Sequence, residues 1–125
     1  MDCVIRSADR TLYDGKASRV VARSPHGEFA VMDGHAPILA VLSAGAVRVQ
    51  SDSQEFILVC KQGTFTSDGD RVTILVERPA LLDEIDVAKI RDSLATQKNE
   101  GASDRMSPED VAYFEALCQA KERHG

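Results

Sequence analysis

His35 is the residue whose type invites a chemical reading. It lies in DGHAPILAVLSAG, Asp33 to Gly45, with a carboxylate two residues upstream and an apolar run behind it. An imidazole beside a carboxylate can act as a general base, provided an acid or nucleophile is held within reach. No G-x-S-x-G elbow supplies a serine nucleophile. As a zinc ligand His35 needs companions, and His26, His124 and the cysteines stand at no metal-ligand spacing from it. The plainer reading is a histidine that orders its own loop through side-chain hydrogen bonds. From these residues alone a chemical alternative stays open: a small-ligand-binding β-sandwich, or an enzyme, centred on His35.

The other reactive residue types read more simply. Cys60 sits among apolar strand residues and Cys118 on a helical stripe, so both are expected as core fillers rather than reactive thiols. Cys3, Cys60 and Cys118 are odd in number, far apart and form no C-x-x-C pair, which suits a reduced, cytosolic compartment. Asp68-Gly69-Asp70 brings two carboxylates together but lacks the further oxygen ligands of a calcium loop, so a hairpin turn is expected there. No G-x-x-x-x-G-K-[ST] phosphate loop occurs. No metal site and no catalytic centre assemble from these motifs.

Composition narrows the classes further. A chain of 125 residues makes one domain, or one domain with an appendage. Apolar residues at 43 % allow a packed core, which argues against wholesale disorder. A net charge of −5 and the absence of any Lys/Arg run exclude a duplex-binding face, so no nucleic-acid partner is expected. No apolar stretch reaches the roughly 20 residues of a membrane-spanning helix, and MDCVIRSADR carries no leader-type apolar core. The expectation is a soluble chain that can still dock on a membrane complex.

The elements that must position these residues change character near residue 83. Before it, apolar residues alternate and turn signals recur at Asp14-Gly15, Ser24 to Gly27, Ser43 to Gly45, Ser51 to Gln54 and Ser67 to Asp70. Turns every 8–12 residues or so mark a β-sandwich or barrel. The pattern predicts strands at 2–7, 10–13, 17–24, 28–32, 38–43, 46–51, 55–61, 64–67 and 71–76, with a short one at 80–82. Glu55 to Cys60 is apolar on both faces, as in a strand buried on two sides or shared with a partner.

After Asp83 the period becomes helical. Val87, Ile90, Leu94 and Ala95 share a face, and Asp83 or Asp86 can cap the start. Residues 99–103 (NEGAS) break this helix. Ser107-Pro108-Glu109-Asp110 then reads as an N-cap, a proline at the first helical position and a capping box. Val111, Phe114, Leu117 and Cys118 form the second stripe. A helix of about 15 residues is marginal alone in water, so the predicted antiparallel hairpin must dock on the sandwich or on a partner.

Taken in order, these motifs resemble one family, the epsilon subunit of F-type ATP synthases (delta in mitochondria). LYDG at 12–15 is similar to the family's early apolar-x-Gly turn. GEFAVMDGHAP at 27–37 resembles its Gly-Glu-apolar-Gly-Ile-x-Pro-Gly-His-Ala-Pro segment. ILAVLSAGAVRV, QGTF, RVTILVERP and LLDEIDVAKI continue the series, so the likeness covers about residues 2–98. Asp33, Ala30, Ala44 and Gln62 depart from the usual Pro, Gly, Pro and Gly. Ala30 and Gln62 imply that those two positions need no positive φ.

The resemblance implies a ten-stranded β-sandwich over residues 1–82 and a two-helix hairpin over 83–125, shortened and regulatory. It implies a non-catalytic central-stalk subunit that links the gamma subunit to the ring of c subunits, with alpha/beta contact through the hairpin. The setting would be a proton-driven synthase at the cytoplasmic face of a bacterial inner membrane. Glu28, Asp33, Gly34 and His35 would form the c-ring docking loop, and the doubly apolar strand at 55–60 part of the gamma-facing surface. No cofactor is implied beyond ATP, which some members bind through Ile-Asp-x-x-Arg-Ala. Ile85, Asp86 and Lys89 occupy that motif here, with Lys89 for Arg and Ile90 for Ala, and Lys lacks the planar fork of Arg.

Overall fold

Alternation along the first 81 residues produces ten strands in two five-stranded sheets. The computed structural model describes residues 1–52, 54–92 and 107–124. The first sheet has the order β2 (Thr11–Lys16), β1 (Asp2–Arg6), β9 (Arg71–Glu77), β8 (Gln62–Ser67), β5 (Ile38–Leu42). The second has β10 (Ala80–Leu81), β7 (Glu55–Cys60), β6 (Gly45–Gln50), β3 (Arg19–Ser24), β4 (Gly27–Met32). Every neighbouring pair is antiparallel except β1 with β9, which is parallel.

The core lies between the sheets. Period two sends Cys3, Ile5, Phe65, Val72 and Ile74 inward from the first sheet. They meet Val20, Ala22, Val31, Val47, Val49, Leu58 and Cys60 from the second. Phe65 stands edge-on to Phe29 of β4, with ring centroids 5.0 Å apart at 79°. A one-residue slip in any of these strands would exchange its inner and outer faces, so burial fixes the register.

Two turn-like sequences lie inside strands. Asp14-Gly15, expected as a turn, pairs within β2 instead, Asp14 with Val4 and Gly15 with Cys3. The chain leaves the first sheet later, at Ala17-Ser18, where the Ser18 amide donates to the Gln50 carbonyl at 2.7 Å and the chain enters the second sheet. β8 likewise starts at Gln62 rather than residue 64. Gly63 is needed there for close approach, because a Cβ would stand 2.2 Å from the Leu75 carbonyl oxygen.

Beyond β10 a 3-10 turn, Leu82–Glu84, leads into α1, helical from 87 to 92. Asp86 caps α1 by accepting the Lys89 amide at 3.2 Å. Leu94, Ala95 and the breaker at 99–103 lie outside the described residues. α2 runs from Pro108 to His124, with the Ser107 hydroxyl accepting the Asp110 amide at 3.2 Å. Its buried face is Tyr113, Leu117, Cys118 and Ala120, a rotated version of the expected stripe. Tyr113 buries because its hydroxyl finds the Arg78 carbonyl at 2.6 Å. The helix lies on the outer face of the second sheet across β6 and β7, where Val59 joins Ile85, Tyr113, Leu117 and Ala120. The two apolar faces of β7 are thereby explained: Leu58 and Cys60 face the sandwich core, and Val59 faces the helix. The chain itself covers the part of β7 expected to meet gamma.

Candidate docking surfaces

The turn after β4 is built around His35. Gly34 has φ +78° and open space where a Cβ would project, so conformation rather than room selects glycine. His35 Nδ1 lies 2.6 Å from the Met32 carbonyl oxygen, which can only accept, so Nδ1 carries the proton. In the neutral ring Nε2 then accepts the Ser67 hydroxyl at 2.6 Å. The Ser67 oxygen in turn accepts the Gly69 amide at 3.3 Å.

This is a serine–histidine contact of the kind that can activate a nucleophile. Here it is a clasp. Ser67 is only 4 % exposed, both ring nitrogens are engaged, and Nδ1 faces a carbonyl rather than the carboxylate that would steady an imidazolium. Asp33 points elsewhere and pairs with the Met1 ammonium at 2.5 Å. The ring therefore ties its own turn to the β8–β9 turn. That second turn is the expected hairpin: Asp68 Oδ1 accepts the amides of Asp70 at 3.0 Å and Arg71 at 2.8 Å. Those two N–H bonds hold the Asp68 carboxyl below the usual carboxylate range.

Glu28 does not belong to this turn. It lies near the start of β4 and Asp33 just past its end, about 16 Å along the strand. Glu28 pairs with Arg48 of β6 at 3.2 Å on the outer face of the second sheet. There it borders an open groove of about 550 Å³ beside α2, with Arg23, Glu115 and Arg123. The expected docking loop thus separates into a turn, Asp33 to His35, and a distant sheet-face carboxylate.

The hairpin entry separates in the same way. Ile85 is 7 % exposed and packs under α2. The Asp86 carboxylate caps α1, and Lys89 lies on the exposed surface. The described residues contain no group of three or more His, Cys, Asp or Glu placed to share a metal ion. Burial pushes the Cys3 and Cys60 thiols up to about 12, so they stay protonated.

Sequence reasoning missed one surface. Leu39 is 80 % exposed, Val41 65 % and Leu75 53 %, all on the outer face of the first sheet. Register sets Val41 opposite Thr64 and Thr64 opposite Leu75, while Leu39 neighbours Thr66. A hollow of about 610 Å³ continues from it, between Val41, Gly63, Leu75 and Arg6. The signal was present: Ile38, Ala40 and Leu42 alternate inward, which leaves Leu39 and Val41 outward and apolar.

The described residues present surfaces where partners can seat and hold their one reactive pair in a structural clasp, which is the build of a docking subunit in a larger assembly. The family model for the ATP synthase delta/epsilon chain beta-sandwich domain matches residues 1–80. The chain belongs to that family and is a non-catalytic stalk subunit. It is 38 % identical to the ATP synthase epsilon chain of Streptomyces avermitilis over 96 residues, 76 % of this chain and 77 % of that one. It is 36 % identical to the epsilon chain of Geobacter metallireducens over 104 residues, 83 % of this chain and 74 % of that one. Its fold is also similar to a chain of the Euglena gracilis mitochondrial ATP synthase, solved with OSCP, F1 and c-ring. That match has a TM-score of 0.80 at 21 % identity and covers 94 % of this chain and 79 % of that one. No helix among the described residues is long and apolar enough to cross a membrane.

Proposed function

We propose that this chain joins gamma to the c-ring in the rotor of a proton-driven synthase, at the cytoplasmic face of a bacterial inner membrane. The exposed apolar face of Leu39, Val41 and Leu75 carries the reading. An open apolar sheet face of this kind marks an interaction site, and α2 already covers the matching face of the second sheet. Gamma therefore seats on the first sheet rather than on β7. The turn at Asp33, Gly34 and His35 meets the polar loops of the c-ring, stiffened against torque by the His35–Ser67 clasp. Residues 1–82 form this docking unit. The part beyond it, residues 83–125, restrains hydrolysis, and its described helix α2 rests on this unit. Ile85 and Asp86 already have structural duties, which speaks against a nucleotide site at the hairpin entry.

The test is capture of purified gamma by the wild type and by a Leu39→Asp, Val41→Asp variant. Retained gamma in the wild type with loss in the variant supports the reading; equal capture contradicts the assignment of gamma to this face.

A further inference from the structure

Arg78 is the one non-glycine residue with a positive φ, +51°, among the described residues. That region is unfavourable for any side chain bearing a Cβ. Pro79 follows, and a residue before proline prefers an extended backbone. Such a conformation persists only where its surroundings over-determine it. Arg78 and Pro79 also mark the place where the chain leaves β9 of the first sheet for β10 of the second, and so for the helices.

The groups that hold this junction come from α2. The Tyr113 hydroxyl donates to the Arg78 carbonyl at 2.6 Å, from a ring buried against Val59, Ile85 and Leu117. One turn earlier, Asp110 takes Lys61 Nζ at 2.8 Å and reaches Arg78 Nη1 at 3.5 Å. At the far end of the helix Lys121 donates to the Leu82 carbonyl at 2.9 Å, beyond the junction. The helix therefore grips the chain at the strained residue and again four residues beyond it.

We propose that Tyr113 and Arg78 form a latch, in which docking of α2 holds residue 78 in the left-handed conformation, so that undocking of α2 and relaxation of the Arg78–Pro79 junction are one event. Part of the favourable energy of docking is stored as backbone strain. The helix is held less tightly than its buried face alone implies, and breaking the Tyr113 bond frees the exit segment to extend. The latch concerns this chain alone and stands whether or not gamma seats on the first sheet.

Hydrogen exchange of the α2 amides in the full chain tests the latch, with the β6 and β9 amides reporting that the sandwich is intact. Tyr113→Phe keeps the buried ring and removes the donor, and it is expected to open α2 about tenfold faster. Arg78→Ala removes the contact with Asp110 but keeps the Cβ, and serves as the baseline. Arg78→Asn and Arg78→Gly tolerate a positive φ and are expected to open α2 about fivefold more slowly than Arg78→Ala. Glycine also loosens the undocked chain, which is why asparagine is read beside it. Equal α2 exchange in the Ala, Asn and Gly variants, or unchanged exchange in Tyr113→Phe, would overturn the latch.

Discussion

The Nε2 of His35 lies 2.6 Å from the Ser67 hydroxyl, and this bond joins the turn after β4 to the turn after β8. It converts a pair that looks chemical into a structural clasp at one end of the sandwich. His35→Ala is expected to leave the largely buried Ser67 hydroxyl without its acceptor and to cost about 1–3 kcal/mol in urea unfolding. The same variant should lose no chemical activity. A hydrolytic activity in the wild type that disappears in His35→Ala would show that the clasp has been misread.

The core sets a larger scale. Phe65 is fully buried and meets Phe29 of the opposite sheet. Phe65→Ala should cost about 3–5 kcal/mol through lost transfer energy and the cavity left behind. Leu39→Asp, on the open face, should stay within about 0.5 kcal/mol of the wild type. Urea midpoints for the two variants check this contrast.

Acid should loosen α2. The Lys61 ammonium and the Ser107 hydroxyl, with Arg78 adding to them, hold the Asp110 carboxyl below its usual range. A lowered folded pKa gives stability that is present above the unfolded value and lost as pH falls through the folded one. The weakening is therefore expected below about pH 4. Exchange of the α2 amides should rise in that window in the wild type and show a smaller rise in Asp110→Asn.

Thiol reagents should find no fast target. Cys3 and Cys60 are buried and their thiols are pushed up to about 12, and Cys118 packs on the inner side of α2. At pH 8 the native chain should react slowly, and all three cysteines should react once urea unfolds it. Rapid labelling of one thiol in the native chain would mean that α2 or the sandwich edge opens readily.

Much of this architecture was legible because period two dominates the strands. Val72, Ile74 and Val76 alternate cleanly, and β9 lies where they place it. Asp14-Gly15 misled because its composition suits a turn, while the edge strand β2 accommodates the same residues. Of the residues expected to form a docking loop, only the turn was legible. Gly34 and His35 announce a turn, but Glu28 lies a full strand away, and nothing local distinguishes a carboxylate in a loop from one at the start of β4. Tyr113 was missed because its burial depends on the distant Arg78 carbonyl. The open face was missed because β5 and β7 look alike in sequence, and only the docked helix shows which of them is already covered.

The most direct test of the account is capture of gamma and c subunits by this chain from detergent-solubilised membranes, comparing the wild type with Leu39→Asp, Val41→Asp. The wild type should recover both partners, and the variant, still folded, should lose gamma at least about tenfold, a change of about 1.4 kcal/mol or more. Recovery of gamma by the variant at the wild-type level, or of neither partner by the wild type, would contradict it.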